Sequence, residues 1–259
     1  MLPTERSAAE EGGFVVEPLP DPPVLDLMEV RKKPEAVIDD DPAWPERLLA
    51  LFEEAVLHDE AKRPRGINKW TGPIDLSLRG DAADDVAVYV EEIAAELSEL
   101  IDLPIELYVD QNWAGDIDIY ITYWKNYWPF FMQSTEPGRH IFTCAVLPWV
   151  DRGRIKRATI KINAGVLDRA TVRACLLEEL TQALGLFGET EEETETLLHD
   201  GIGYEGLGAI DRVLIRTLYD PRLTLGLSNE RAATIASVIL NEQLAKLVNG
   251  QSEENPVPD

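Results

Sequence analysis

Cys175-Leu176-Leu177-Glu178-Glu179-Leu180-Thr181-Gln182-Ala183-Leu184-Gly185 is the stretch on which the fold of this chain turns. Leu, Ala, Glu and Gln favour a helix, and a glycine after the last apolar residue is a common helix stop. The pattern extends upstream and predicts a helix over Arg169–Leu184. Glu178 and Gln182 are four residues apart and therefore share a face, with Cys175 one turn before them.

The spacing Glu178-Glu179-x-x-Gln182 is that of the zincin motif H-E-x-x-H with both histidines replaced. In the intact motif two imidazoles one turn apart hold zinc, and the Glu between them activates a zinc-bound water. Here Glu178 and Gln182 stand at the ligand positions and Glu179 keeps the general-base position. Gly185 follows where many zincins carry a glycine.

The order of elements around this helix agrees with the motif. Ile74, Leu76 and Leu78 alternate with polar residues, so Pro73–Arg79 is expected as a strand ending at Gly80. Val86, Val90, Ile93, Leu97 and Leu100 form one stripe of a helix over Asp84–Ile101. Further strands are expected at Ile105–Val109, Ile117–Thr122, Ile141–Leu147 and Ala158–Asn163, the last two joined by a turn around Asp151-Arg152-Gly153. Tyr204–Leu218 and Asn229–Val248 read as helices, as does Trp44–Lys62. The expected fold is α+β and zincin-like (metalloprotease-like). It has a mixed twisted sheet of about five strands, a backing helix, the motif helix and a helical C-terminal part. This domain spans 67–249, divided at 185 into an α/β part (67–185) and a helical part (186–249). A helix and linker over 43–66 precede it, the helix laid on the body. Residues 1–42, with Pro18, Pro20, Pro22, Pro23, Pro34, Pro42 and the Asp39-Asp40-Asp41 run, read as a disordered or extended arm. The tail 250–259 reads as loose.

The chain has 259 residues and a formal net charge of −24, from 48 acidic and 24 basic side chains. Such a surface repels phosphate backbones and anionic headgroups, which argues against nucleic-acid and membrane-surface roles. No apolar run reaches the length of a membrane span, and Met1–Gly12 is too polar for a signal peptide. The chain is therefore expected either in the cytoplasm or as the product of leader removal. Cys144 and Cys175, the two cysteines, form either one disulfide in an oxidising compartment or two buried thiols in a reducing one.

Trp70-Thr71-Gly72-Pro73-Ile74, Cys175–Gly185 and Tyr219-Asp220-Pro221-Arg222-Leu223 together resemble the bacterial family catalogued as domain of unknown function 2927, over roughly 67–247. The resemblance implies a zincin-like fold with a degenerate motif and a lipoprotein of the cell envelope, in the periplasm or facing it. The chain departs from the family after the motif helix. Leu186-Phe187-Gly188-Glu189 and a glutamate run stand where a Leu-Pro-Asn-Asp-like stretch is expected, and no lipobox cysteine is present.

Zinc prefers imidazole or thiolate, and a catalytic zinc takes three protein ligands plus water. Glu178 offers one good donor, Gln182 only a neutral amide, and Gly188 occupies the place of a third histidine. A rescued set would draw on Glu178, Glu179 and His199; the preferred reading has Glu178 and Gln182 bonded to backbone or to each other. Glu179 without a metal lacks most of the stabilisation that water activation needs. Glu189, Glu191, Glu192, Glu193 and Glu195 lack the spacing of a calcium loop. No cofactor is expected.

Two features point to binding. Tyr120, Tyr123, Trp124, Tyr127, Trp128, Phe130 and Phe131 crowd one strand end and the loop after it, either as interface anchors or as a satellite core. If His140–Leu147 is the edge strand along which zincins align substrate, this loop adjoins the groove. Arg152, Arg154, Lys156, Arg157 and Lys161 form the densest basic cluster, either a dock for an acidic partner or a solvated hairpin face. The function expected is a non-catalytic zincin-like protein, a pseudo-protease, acting as a binding or structural component with a protein or peptide partner. The alternative is a divergent metallohydrolase with Glu179 as general base. The aromatic cluster would serve a homodimer as well as a foreign partner.

Overall fold

The computed structural model describes residues 29–33, 41–59, 61–109, 112–123, 144–190, 196–199 and 202–254. Its elements are β1 (Glu29–Arg31), α1 (Trp44–Leu57), β2 (Ile74–Arg79), α2 (Ala83–Ile101), β3 (Ile105–Val109) and β4 (Ile117–Thr122). They continue with β5 (Cys144–Asp151), β6 (Arg154–Asn163), α3 (Arg169–Ala183), β7 (Ile202–Tyr204), α4 (Ala209–Tyr219) and α5 (Asn229–Glu254).

Five strands form one mixed sheet in the order β3-β2-β4-β6-β5. The first four run parallel, and β5 lies antiparallel at the edge beside β6. Register stacks the apolar residues in rows, Leu76 beside Ile117 beside Ala158 and Leu78 beside Ile119 beside Ile160. These side chains are buried and face α2 and α3. The alternation that predicts each strand is thus the sheet's inner face.

The opposite face is polar and is organised by Asp118 on β4. Its carboxylate takes hydrogen bonds from Arg79 of β2 and from Arg157 of β6, whose Nε lies 3.2 Å away. Burial pushes the Asp118 carboxyl up, but the hydrogen bonds from Arg157 and Arg79 outweigh it and hold the group below its usual range. One buried charge therefore ties three neighbouring strands together. Leaving it unpaired would cost several kcal/mol, on the order of 3–5.

Helix α3 is buried on nearly every side, by β5, β6, α2, β1 and β7. Asp168 caps its first turn, accepting from the Thr171 N–H at 2.7 Å. Its far end is closed by side chains from distant sequence. Trp70 Nε1 donates to the Ala183 carbonyl at 2.9 Å, and the Tyr219 hydroxyl donates to the Leu184 carbonyl at 2.9 Å. Gly185 then turns the chain at φ +117°, where an added Cβ would lie 2.0 Å from the Asn68 carbonyl oxygen. Only glycine fits there.

The hairpin β5–β6 runs longer than its sequence pattern. Asp151 pairs with Arg154 across Arg152 and Gly153, both at positive φ, a two-residue turn that continues both strands to the tip. Lys156 is the extra residue of a bulge, since Val150 faces Ile155 while Trp149 faces Arg157. Charged residues at 154, 156 and 157 thus hide this half of β6. Pro148 sits mid-strand, tolerated because β5 is an edge.

Other expectations change at the ends. Helix α1 stops at Leu57 rather than Lys62, because Asp59 instead accepts the Arg63 N–H on Oδ1 (3.0 Å) and the Lys62 N–H on its carbonyl (2.7 Å). Trp44, Leu48, Phe52 and Val56 are buried, and α1 packs on α4 and α5. The helix is laid on the body, as its apolar spacing predicts. Glu29–Arg31, inside the segment read as a disordered or extended arm, pairs in parallel with Ile202–Tyr204. That strand also displaces the expected helix start from Tyr204 to Ala209. Helix α5 continues through 250–254, past the start of the expected loose tail.

A disulfide joins Cys144 at the start of β5 to Cys175 on α3, with Cα atoms 6.0 Å apart and a sequence separation of 31. Closing a loop of that length stabilises by about 3–4 kcal/mol in the chain-entropy picture. The Cys144→Ser/Cys175→Ser variant is expected to lose about that much in urea unfolding. Wild type under reducing conditions should match it.

Candidate functional site

Cys175, Glu178 and Gln182 rise one turn at a time along the side of α3 that carries the disulfide to β5. Between the last of these turns and the edge strand lies a cleft of about 180 Å³. Val146 and Pro148 of β5 form one wall, Gln182 and Phe187 the floor, and Asp59, Ala61, Arg63 and Arg65 the other wall. Val146 and Pro148 face the helices; Leu147 and Trp149, their neighbours, point to the other side of the sheet and are 58% and 67% exposed.

Gln182 is 3% exposed, and its side-chain amide makes no hydrogen bond among the described residues. The Gln182 side chain therefore presents an unused donor and acceptor to the cleft.

Asp59 organises the charged wall. Its Oδ2 accepts from Arg63 Nε at 2.9 Å and from Arg65 Nε at 3.4 Å. The hydrogen bond from Arg63 is the main cause that pulls the Asp59 carboxyl down to about 2, against the opposing effect of burial. Among the residues that line the cleft, one carboxylate thus answers two guanidiniums, in a chain of net charge −24. Arg65 lies over the Phe187 ring at 5.3 Å, and its Nη groups have no partner among the described residues. The stacking fixes the guanidinium plane and leaves its outer edge available.

The remaining candidates are scattered. Glu178 is half-buried, Glu179 is buried, and each carries interactions of its own. His199 lies just after Thr196–Leu198, its backbone N–H donating to the Thr196 carbonyl at 3.2 Å. Among the described residues no three His, Cys, Asp or Glu side chains are grouped to hold a metal ion, so Glu178, Glu179 and His199 are not assembled as a ligand set. Arg152, Arg154 and Lys156 are exposed at the hairpin tip, whereas Arg157 belongs to the Asp118 network. Tyr123 donates to Asp85 Oδ2 at 3.3 Å. Trp124, Tyr127, Trp128, Phe130 and Phe131 lie outside the described residues, as do Glu191, Glu192, Glu193 and Glu195.

A second cavity, about 320 Å³, opens at the ends of β4 and β6 between the first turns of α2 and α3, lined by Val86, Leu167, Arg169 and Val172. Asp85 and Tyr123 at its rim satisfy each other.

The family model described as "Protein of unknown function (DUF2927)" matches residues 45–237. The chain belongs to the DUF2927 family. No curated protein matches it. The matched span begins inside α1, in keeping with that helix's burial in the DUF2927 core. The three segments that carry the family resemblance also meet in space. Trp70 and Tyr219 close the end of the motif helix, and Lys69 Nζ donates to the Leu218 carbonyl at 3.0 Å. These DUF2927 residues hold the helix in place rather than lining the cleft.

Sequence reasoning singled out Gln182 and missed Arg63, Arg65, Asp59, Phe187, Val146 and Pro148 as its neighbours. The only local signal was Asp59 four residues before Arg63, a spacing that on a helix would merely be a surface pair.

The low Asp59 value sets a pH window. Its contribution to stability is complete above the unfolded carboxylate value of about 3.9 and is lost as pH falls toward about 2. The urea midpoint of wild type is expected to fall more steeply between about pH 4 and pH 2 than that of Asp59→Asn.

Proposed function

We propose that this DUF2927 protein is a zincin-like pseudo-protease of the bacterial cell envelope that binds an extended peptide segment without cleaving it. The observation that carries the reading is the cleft beside Gln182, between an antiparallel edge strand and the motif helix. In zincins the edge strand next to the motif helix aligns the substrate as an added strand. Here the second ligand position holds an amide facing that cleft, while the first holds Glu178. Two oxygen-bearing side chains, one of them a neutral amide, are a poor match to the imidazole set of a catalytic zinc. The groove is kept and the ligand chemistry is changed.

The Cys144–Cys175 disulfide favours an oxidising compartment, since such bonds persist outside the cytosol and are rare within it. It also ties the edge strand to the motif helix, which keeps the groove at a fixed width. A prearranged groove loses less entropy on binding than one that must form around its ligand.

The competing reading is a divergent metallohydrolase that uses Glu179 as general base with an unorthodox ligand set. The two readings differ in metal content. Native protein, purified without chelators, is expected to carry far less than one metal per chain by elemental analysis and to leave casein uncut. Stoichiometric zinc that Glu178→Ala releases, together with peptide cleavage, would overturn the proposal.

A further inference from the structure

We infer that the cleft reads an acidic side chain, Asp or Glu, in the middle of the bound extended segment; this rests on the peptide-binding reading above. Four observations converge on it. The first is size. About 180 Å³ is below the roughly 300 Å³ at which small-molecule pockets begin, but it admits one side chain of a longer chain. The second is position. Val146 and Pro148 lie in the middle of β5, so a segment laid along Cys144–Asp151 continues past the cleft in both directions. The group that enters is therefore a side chain and not a chain terminus.

The third is charge. Asp59 balances only one of Arg63 and Arg65, and Arg65 keeps its Nη edge unused while Phe187 fixes its plane. A guanidinium edge offers two parallel N–H donors, a match to the two oxygens of a carboxylate. The fourth is the Gln182 amide, which lines the cleft and makes no hydrogen bond among the described residues. Its N–H can donate to a carboxylate oxygen, and its carbonyl can accept a peptide N–H from the same segment. Glu178, one turn away, is already engaged in an interaction of its own.

Pro148 adds a constraint on the occupant. It offers no N–H to an added strand, so main-chain pairing is interrupted beside the cleft. Selection at this point then falls to the side chain that enters.

The test uses the full chain, immobilised, with two pools of heptapeptides that have randomised flanks and a central Glu or a central Gln. At physiological salt, wild type is expected to retain the Glu pool about tenfold more than the Gln pool. Arg65→Met keeps the apolar stem over Phe187 and should bring that ratio close to one without changing retention of the Gln pool. Gln182→Met, of similar volume, should weaken both pools together. Equal retention of the two pools by wild type, or a ratio that survives Arg65→Met, overturns this inference and leaves the peptide-binding reading standing. If neither pool is retained, both fall.

Discussion

The motif helix has almost no solvent side, least of all at its C-terminal end, and most of the structure follows from that. A helix end buried in this way cannot leave its last carbonyls to water, and each one left bare would cost about 1–3 kcal/mol. Trp70 and Tyr219 answer two of them from opposite ends of the matched region. Both residues must therefore arrive at the same point, which fixes the entry into β2 and the exit from α4. Gly185 and Gly188 allow the chain to leave the helix against the backbone of Asn68 and Glu54, at approaches no side chain would permit. The segments that mark the family are in this sense the supports of one helix end.

The edge strand depends on the helix in turn and is held from two directions. Through β6 and Arg157 it is joined to the Asp118 ion network on the polar face of the sheet. Through Cys144 it is bonded to α3 on the apolar face. The cleft between strand and helix thus has two walls that cannot drift apart. Its third wall, the turn around Asp59, is set by hydrogen bonds within residues 57–65 and by Arg65 on Phe187. Small shifts of that wall are the freedom the site retains.

Much of the fold was legible because its strands alternate. Ile74, Leu76 and Leu78, and likewise Ile117, Ile119 and Ile121, present one apolar face each, and the structure places them there. Where local pattern fails, a distant partner decides. Strand β1 is three residues that gain meaning only beside Ile202–Tyr204. The first half of β6 is masked by charges that a bulge and Asp118 make acceptable. Leu147 and Trp149 alternate with equally apolar neighbours, so the sequence does not say which set faces the core. The site was half legible for the same reason. Gln182 could be singled out as an odd residue at a ligand position, but Arg63 and Arg65 reach it through a turn that reads as the end of a helix.

Pro148 and the bulge at Lys156 also bear on how this molecule meets its own kind. A flat edge strand with exposed Leu147 and Trp149 is a template on which unfolded chains and second copies can extend the sheet, the first step toward aggregates. A missing donor at Pro148 and a twist at the bulge interrupt that ladder within a few residues. An intruding strand then finds no continuous register to zip along. Under the peptide-binding proposal, the same interruption shifts the decisive contact from the backbone of the bound segment to its side chain. An edge broken up in this way gives a second copy little on which to extend the sheet.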